Sequence, residues 1–148
     1  MGILTEKLLA DDTRPTVVND CVRVIEDEVA SKKGVSGLAI KGAFKALKAI
    51  KPGMVRNAVN GLLDEFVENL DPFYQRFVDA GKPGGIESYL VKHDGEVSDA
   101  LLSITDGKAR TTSNKTLKKL YDKLRPQGKK QVQAAMPRVG KMLAKHGL

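Results

Sequence analysis

The stretch that decides the fold is MVRNAVNGLLDEFVENL, residues 54–70. Its apolar residues recur at every third or fourth position, which is the spacing of one side of an α-helix. The charged residues Asp64, Glu65 and Glu68 fall outside that apolar side. We therefore predict an amphipathic helix over this stretch, at the centre of a hydrophobic core.

The residues that follow extend this core. Asp71-Pro72 has the order of a helix start, with a capping side chain before a proline in the first turn. It predicts a second, short helix from Phe73 to Ala80. The predicted core takes six side chains from these two helices: Leu62, Leu63, Phe66, Val67, Phe73 and Phe77.

Helical spacing and capping residues recur outward in both directions, whereas alternating strand patterns and hairpin turn signals are nearly absent. The fold class predicted for residues 1–148 is all-α, a single compact and irregular array of seven or eight short helices. The further predicted helices run from Thr13 to Gly34, from Ser36 to Lys51, from Ile86 to Val91, from Asp94, from a cap at Thr112 or Ser113 to Arg125, and from Gln127 onward, where Pro137 kinks the helix or opens a new one.

Charge is arranged along the chain in four blocks of alternating sign. Residues 1–31 carry a net charge of −4, residues 32–56 carry +7, residues 57–107 carry −7, and residues 108–148 carry +11. A chain of this kind can fold its basic blocks against its acidic ones, or it can present a basic surface to a polyanion. Charge alone leaves both interpretations open for the basic C-terminal helical segment, residues 108–148.

The first group of candidate binding residues lies on the predicted helix from Ser36 to Lys51. Lys41, Lys45 and Lys48 project within about 60° of one another on a helix, opposite an apolar side. Such a helix can lie on an anionic membrane, or its lysines can simply be solvated while its small residues pack on a neighbour. The edge predicted to reach a bilayer is made by Ile40, Phe44 and Leu47.

The second group lies in the basic C-terminal segment, where lysine and arginine can contact phosphates. Lysines outnumber arginines and Tyr121 is the only aromatic residue there, so binding to nucleic acid would not depend on sequence. The alternative is docking of this basic segment on the acidic residues of 57–107, with Asp64, Glu65 and Glu68 among them. The candidates are Lys115, Lys118, Lys119, Lys123, Arg125, Lys129 and Lys130.

Residues that carry catalysis or bind cofactors are not indicated. His93 and His146 belong to no zinc-binding pattern, Cys21 is the single cysteine, and the chain has no phosphate-binding loop. The sequence therefore predicts no enzyme, no cofactor and no metal site. Residues 1–10 lack the features of a secretory signal, and no apolar run approaches the length of about 18 residues that spans a bilayer. We expect a cytoplasmic protein without a transmembrane segment.

The function predicted first is a non-enzymatic module that holds an anionic partner on basic helix surfaces, with nucleic acid as the commonest cytoplasmic polyanion. A peripheral protein on an anionic membrane surface is one alternative. A scaffold for a protein partner is the other, with the charge blocks satisfied internally or across that interface.

The order of several short elements resembles that of a family of small uncharacterised bacterial proteins, known as a domain of unknown function. The resemblance implies a bacterial, cytoplasmic, helical domain, and it implies no activity, cofactor or catalytic residue. The elements are Arg14-Pro15 with Asp20, Glu28-Val29, Lys33-Gly34-Val35-Ser36-Gly37, Lys51-Pro52-Gly53, Phe73-Tyr74, Leu101-Leu102 to Asp106, Tyr121 with Leu124-Arg125, and Pro137.

Overall fold

The structure, a computed structural model, describes residues 2–148 and contains seven helices and no strand within them. The all-α prediction is confirmed. The helices are α1 (Ile3–Leu8), α2 (Arg14–Ser31), α3 (Gly34–Ile50), α4 (Met54–Asp79), α5 (Gly85–Lys92), α6 (Asp94–Thr111) and α7 (Lys115–Lys145).

Helix α4 continues through Pro72, so the predicted break between Leu70 and Phe73 was wrong. Pro72 has no N–H and removes one backbone hydrogen bond, which costs on the order of 3 kcal/mol in a helix interior. The same apolar face continues on both sides of the proline, with Leu70, Phe73 and Phe77 all buried. Each buried side chain of this size contributes about 1.5–3 kcal/mol, which offsets the loss.

The Asp71 carboxylate caps a different helix from the one predicted. It accepts hydrogen bonds from the backbone N–H of Leu4 at 2.7 Å, from that of Thr5 at 3.3 Å and from the Thr5 hydroxyl. The first N–H groups of a helix have no partner within it, so Asp71 satisfies those of α1. The bonds hold α1 against α4, where Leu4 and Leu8 are buried.

Helix α7 also continues through its prolines, Pro126 and Pro137. The predicted end at Arg125 was wrong, and no new helix begins at Pro137. The reason is again tertiary, because α7 packs along α5 and α6 and buries Met136 and Leu143 in the core.

Two predicted caps were also wrong. Helix α3 begins at Gly34, before the predicted cap Ser36. Helix α7 is capped by Asn114, whose side-chain oxygen accepts a hydrogen bond from the N–H of Leu117 at 2.9 Å, rather than by Thr112 or Ser113.

The core forms around α4, as predicted, although not all of the predicted residues lie within it. Leu63, Val67, Phe73 and Phe77 are buried, whereas Leu62 and Phe66 are half-buried. The remaining buried core side chains come from α1, α2, α5, α6 and α7: Leu4, Leu8, Val17, Val18, Ile86, Leu90, Val97, Met136 and Leu143.

Helices α2 and α4 run antiparallel to each other. The Arg14 side chain, at the start of α2, bonds to Asn60 of α4, whereas Asn19, further along α2, bonds to Arg56, nearer the start of α4. On the other side of α4, α6 packs against both α4 and α7. Helix α7 lies beside α2, α3, α5 and α6, and closes the bundle.

The approach of α5 to α7 is closest at Gly140. A Cβ atom on this residue would lie 2.4 Å from the Cα and 2.9 Å from the Cβ of Glu87. Real Cβ atoms essentially never come so near to another atom, and the backbone of α5 cannot swing aside as a side chain can. Only glycine allows the two helices to pack at this distance.

We expect Gly140→Ala to lower the free energy of unfolding by about 1–3 kcal/mol, because the added methyl group forces α5 away from α7. Chemical denaturation of the wild-type protein and the variant measures this difference. The matched control is Gly42→Ala, since a Cβ at Gly42 meets no atom of residues 2–148 within 4 Å outside the backbone of its own helix. The control should raise stability by about 0.5–1 kcal/mol. Equal effects of the two changes would contradict the close packing.

Candidate anion-binding surfaces

The cations in the C-terminal half of α7 are largely paired within the fold. They contact carboxylates on α2, α5 and α6, and Asp20 also accepts a bond from His146 at 2.7 Å. The basic segment therefore does pair with acidic residues of 57–107, as in Lys129–Asp99 and Lys141–Glu87, and it also pairs with Asp20 and Glu28 of α2, which lie outside that range. The ion pairs are Lys129–Asp99 at 3.0 Å, Arg138–Glu28 at 3.4 Å, Lys141–Glu87 at 4.0 Å and Lys145–Asp20 at 2.9 Å.

Of the three acids of α4 that were named as docking partners, only Glu65 pairs with the basic segment, through Lys108. Asp64 pairs with Arg14 at 2.5 Å, and Glu65 pairs with Lys108 at 2.9 Å. Glu68 is exposed, and no cation of residues 2–148 lies within 4.0 Å of its carboxylate.

The strongest of the internal contacts surrounds Asp106. The Arg125 guanidinium donates two hydrogen bonds to its carboxylate, from Nε at 2.7 Å and from Nη2 at 3.1 Å. The Tyr121 hydroxyl donates a third bond and lies 2.8 Å from the Thr105 hydroxyl. The bonds from Arg125 and Tyr121 lower the pKa of Asp106, whereas burial and the bond to Asp106 raise the pKa of Tyr121.

The remaining lysines of α7 form what we call the α7 stripe: Lys115, Lys118, Lys119, Lys123 and Lys130. All five are exposed, and none has a carboxylate within 4.0 Å in the part of the chain that the structure describes. The stripe extends over about 22 Å of helix at 1.5 Å per residue. One acid, Asp122, lies in the same stretch, so the stripe keeps a strong positive charge.

Helix α3 carries the other predicted group, and its exposed apolar residues are not the ones predicted. Lys41, Lys45 and Lys48 are exposed, and no carboxylate of residues 2–148 pairs with them. Val35 and Leu38 are 87% and 72% exposed. We call these five residues the α3 face.

The residues predicted to contact a bilayer from this helix, Ile40, Phe44 and Leu47, are half-buried instead. Phe44 and Val22 of α2 line the same cavity. The signal for the α3 face was present in the sequence, but placing the cap at Ser36 excluded Val35 from the helix.

Groups that could carry chemistry are held in structural contacts. Burial and the charge of Asp20 raise the pKa of the Cys21 thiol to about 11, and its Sγ lies 3.7 Å from the Sδ of Met142. Burial opposes the ionisation of Asp20, but the hydrogen bonds from Lys145 and His146 outweigh it and lower the Asp20 pKa. Among residues 2–148, no cluster of three or more His, Cys, Asp or Glu side chains could hold a metal ion.

Comparison with known proteins identifies a family. The sequence model of a family of unknown function, DUF6918, matches residues 4–147. The chain belongs to this family. No curated protein and no solved structure matches this DUF6918 chain.

The match confirms the predicted resemblance to an uncharacterised domain family, and it covers nearly the whole sequence. The function of the DUF6918 chain must therefore be argued from its own residues. No helix within residues 2–148 combines the length and the apolar composition needed to cross a membrane.

We expect acid to destabilise the DUF6918 fold partly through Asp106. Its folded-state pKa lies below the ordinary value of 3.8, so its pairing stabilises the fold above that pH and is lost as the pH falls through the folded-state pKa. The measurement is urea denaturation between about pH 7 and about pH 2. In Asp106→Asn, the free energy of unfolding should fall less steeply at the acid end of this range than it does in the wild-type protein.

The matched control for this experiment is Asp79→Asn. The Asp79 carboxylate accepts a bond from the Gln75 amide at 2.9 Å and pairs with no cation among the described residues. In the control, the free energy of unfolding should fall at acid pH as steeply as it does in the wild-type protein. If the free energy of unfolding of Asp106→Asn fell at acid pH as steeply as that of the wild-type protein, the bonds to Asp106 would not be formed in solution.

Proposed function

We propose that this protein is a non-enzymatic binding module that holds an anionic partner on the α7 stripe, and that the partner is the phosphate backbone of a nucleic acid. The observation that carries the proposal is that the cations of α7 fall into a paired set and an unpaired set. Each paired cation has a carboxylate within 4.0 Å, whereas the five lysines of the stripe have none among residues 2–148. The paired cations are Arg125, Lys129, Arg138, Lys141 and Lys145.

The spacing of the stripe supports this proposal. Lys115, Lys119 and Lys123 stand four residues apart on the outer side of α7, which puts one ammonium about every 6 Å along the helix axis. Like charges at this spacing repel each other and destabilise the helix slightly. A polyanion relieves the repulsion, because each lysine can neutralise one phosphate and release its counterion.

The same surface offers little means of reading a base sequence. Lysine is a flexible point charge, whereas the planar fork of arginine suits the edges of bases. Arg125 is bonded to Asp106, and the Tyr121 hydroxyl is bonded to the same carboxylate. A nucleic acid would have to displace Asp106 to use either side chain. Binding should therefore depend on backbone charge, and the proposed setting is the cytoplasm that the sequence predicted.

We expect the protein to bind duplex DNA at low salt, with an affinity that falls steeply as salt rises and hardly depends on sequence. Changing Lys115, Lys119 and Lys123 together to Gln should reduce the log–log slope of affinity against salt by up to about 2.7, which is about 0.9 for each phosphate that is no longer neutralised. Fluorescence anisotropy at several salt concentrations measures this slope, and circular dichroism checks that helicity is kept.

The matched control is the triple change of Lys129, Lys141 and Lys145 to Gln. It removes the same number of charges from the same helix, but at positions that are paired with Asp99, Glu87 and Asp20. The control should keep most of the salt slope and lose some stability. Equal slopes for the two triple variants, or no DNA or RNA binding by the wild-type protein, would refute the proposal.

A second candidate function is binding to an anionic membrane surface through the α3 face. The observation in its favour is that two apolar side chains, Val35 and Leu38, are exposed on the same helix as three unpaired lysines. Adsorption by charge alone is reversed by salt, whereas inserted apolar side chains hold a helix at the interface.

If the α3 face binds membranes, Val35→Ser with Leu38→Ser should weaken binding to phosphatidylserine-containing vesicles at high salt by about tenfold or more, because the variant has no apolar side chains to insert there. Vesicle flotation measures this weakening. The matched control is Val91→Ser, which removes an exposed valine from α5. Binding that salt alone abolishes would contradict insertion, and failure of both DNA and vesicle binding would favour the protein scaffold.

A further inference from the structure

A groove opens between the first half of α4, the end of α6 and the start of α7. Its volume is about 480 Å³. Sites for small molecules typically occupy about 300–1,000 Å³. The groove is therefore large enough for a small organic ligand, and it lies apart from the outer side of α7 that carries Lys115, Lys119 and Lys123.

The wall of the groove is apolar. Met54, Ala58 and Leu62 line it from α4, Ala109 from α6 and Leu117 from α7. Leu62 was predicted to be in the core, and its half-buried side chain faces this space. Two of its polar groups, the Thr105 and Tyr121 hydroxyls, are engaged with each other at 2.8 Å, and Asn57, Thr111 and Thr112 also line the groove.

The width of the groove depends on Gly61, which lines it from the middle of α4. Outside the backbone of its own helix, a Cβ at this position would meet no atom of residues 2–148 within 4 Å. Glycine therefore leaves open a space that a larger side chain would occupy.

The charged residues of the groove all have one sign. Lys51, Lys108 and Lys118 line it, and no aspartate or glutamate does so within the described part of the chain. Lys108 is bonded to Glu65 at 2.9 Å. Lys51 and Lys118 have no carboxylate of residues 2–148 within 4.0 Å, so two ammonium groups are left for a ligand.

We infer that this groove binds a fatty acid, with its alkyl chain on the apolar wall and its carboxylate between Lys51 and Lys118. An apolar wall offers nothing to a phosphate backbone, whereas an alkyl chain is stabilised by removal from water. The cationic edge selects a negative head group over a neutral or positive one. This inference does not depend on nucleic-acid binding, with which it shares only Lys118.

The first test compares three amphiphiles of equal chain length by isothermal titration calorimetry, below the concentrations at which the two ions form micelles and below the solubility limit of the alcohol. They are laurate, lauryl alcohol and dodecyltrimethylammonium. We expect laurate to bind at least about tenfold more tightly than the alcohol, since the alcohol has no charge to pair with the two ammonium groups, and the cation not to bind. Absence of laurate binding, or equal affinities for all three, would overturn the inference.

The second test fills the groove. Gly61→Leu should reduce laurate affinity by tenfold or more, because the new side chain occupies the space of the alkyl chain. Gly42→Leu is the matched control, since it adds the same side chain to a helical glycine outside the groove, and it should bind laurate as the wild type does. Wild-type affinity in Gly61→Leu would show that laurate binds elsewhere.

A third pair of changes tests the head group without altering the wall. Changing both Lys51→Gln and Lys118→Gln should lower the affinity for laurate by about five- to tenfold. The difference in affinity between laurate and lauryl alcohol should become smaller. An unchanged difference would overturn the assigned role of the two lysines. Failure of laurate to bind while DNA binds, or the reverse, distinguishes this inference from the proposed function.

Discussion

The position of α7 in the fold depends on how its positive charge is neutralised by carboxylates of neighbouring helices. The helix carries ten basic side chains and a single acid, and three of the four helices that it contacts present carboxylates to these cations. Asp20, Glu28, Glu87, Asp99 and Asp106 supply those carboxylates. Exposed ion pairs contribute at most about 1 kcal/mol each, so their main effect is to fix the position of α7 along its neighbours while buried side chains stabilise the packing. Five cations of the helix are paired with these carboxylates, and the five lysines of the stripe remain available for a partner.

Local sequence patterns predicted the helical class and the centre of the core, because the period of apolar residues in 54–70 is a property of that stretch alone. The ends of helices were predicted less well. A proline or a capping residue indicates what the nearby backbone prefers, whereas burial along a continuous face decides whether the helix goes on. Pro72 and Pro126 therefore lie inside helices. Asp71 shows the same limit, since its carboxylate caps a helix whose first residues lie 66 and 67 positions away in the sequence.

The candidate sites, too, could be predicted only in part from the sequence. Basic blocks are visible in the sequence, so every lysine of the α7 stripe could be named from it. Which cations are paired could not be derived, because Lys145 meets its carboxylate across 125 positions of sequence. The groove was harder still to foresee. It exists because Gly61, Ala58 and Ala109 lack bulk at a place where three helices meet, and a missing side chain has no signature until its neighbours are known.

One hydrogen bond joins the first and last helical regions of this architecture, since the Lys7 ammonium lies 3.4 Å from the carbonyl oxygen of Gly147. During synthesis α7 leaves the ribosome after every helix that it covers. Until then, the surfaces of α2, α5 and α6 that α7 covers remain exposed, together with the carboxylates that pair with it. The domain can therefore complete its folding only once α7 has emerged.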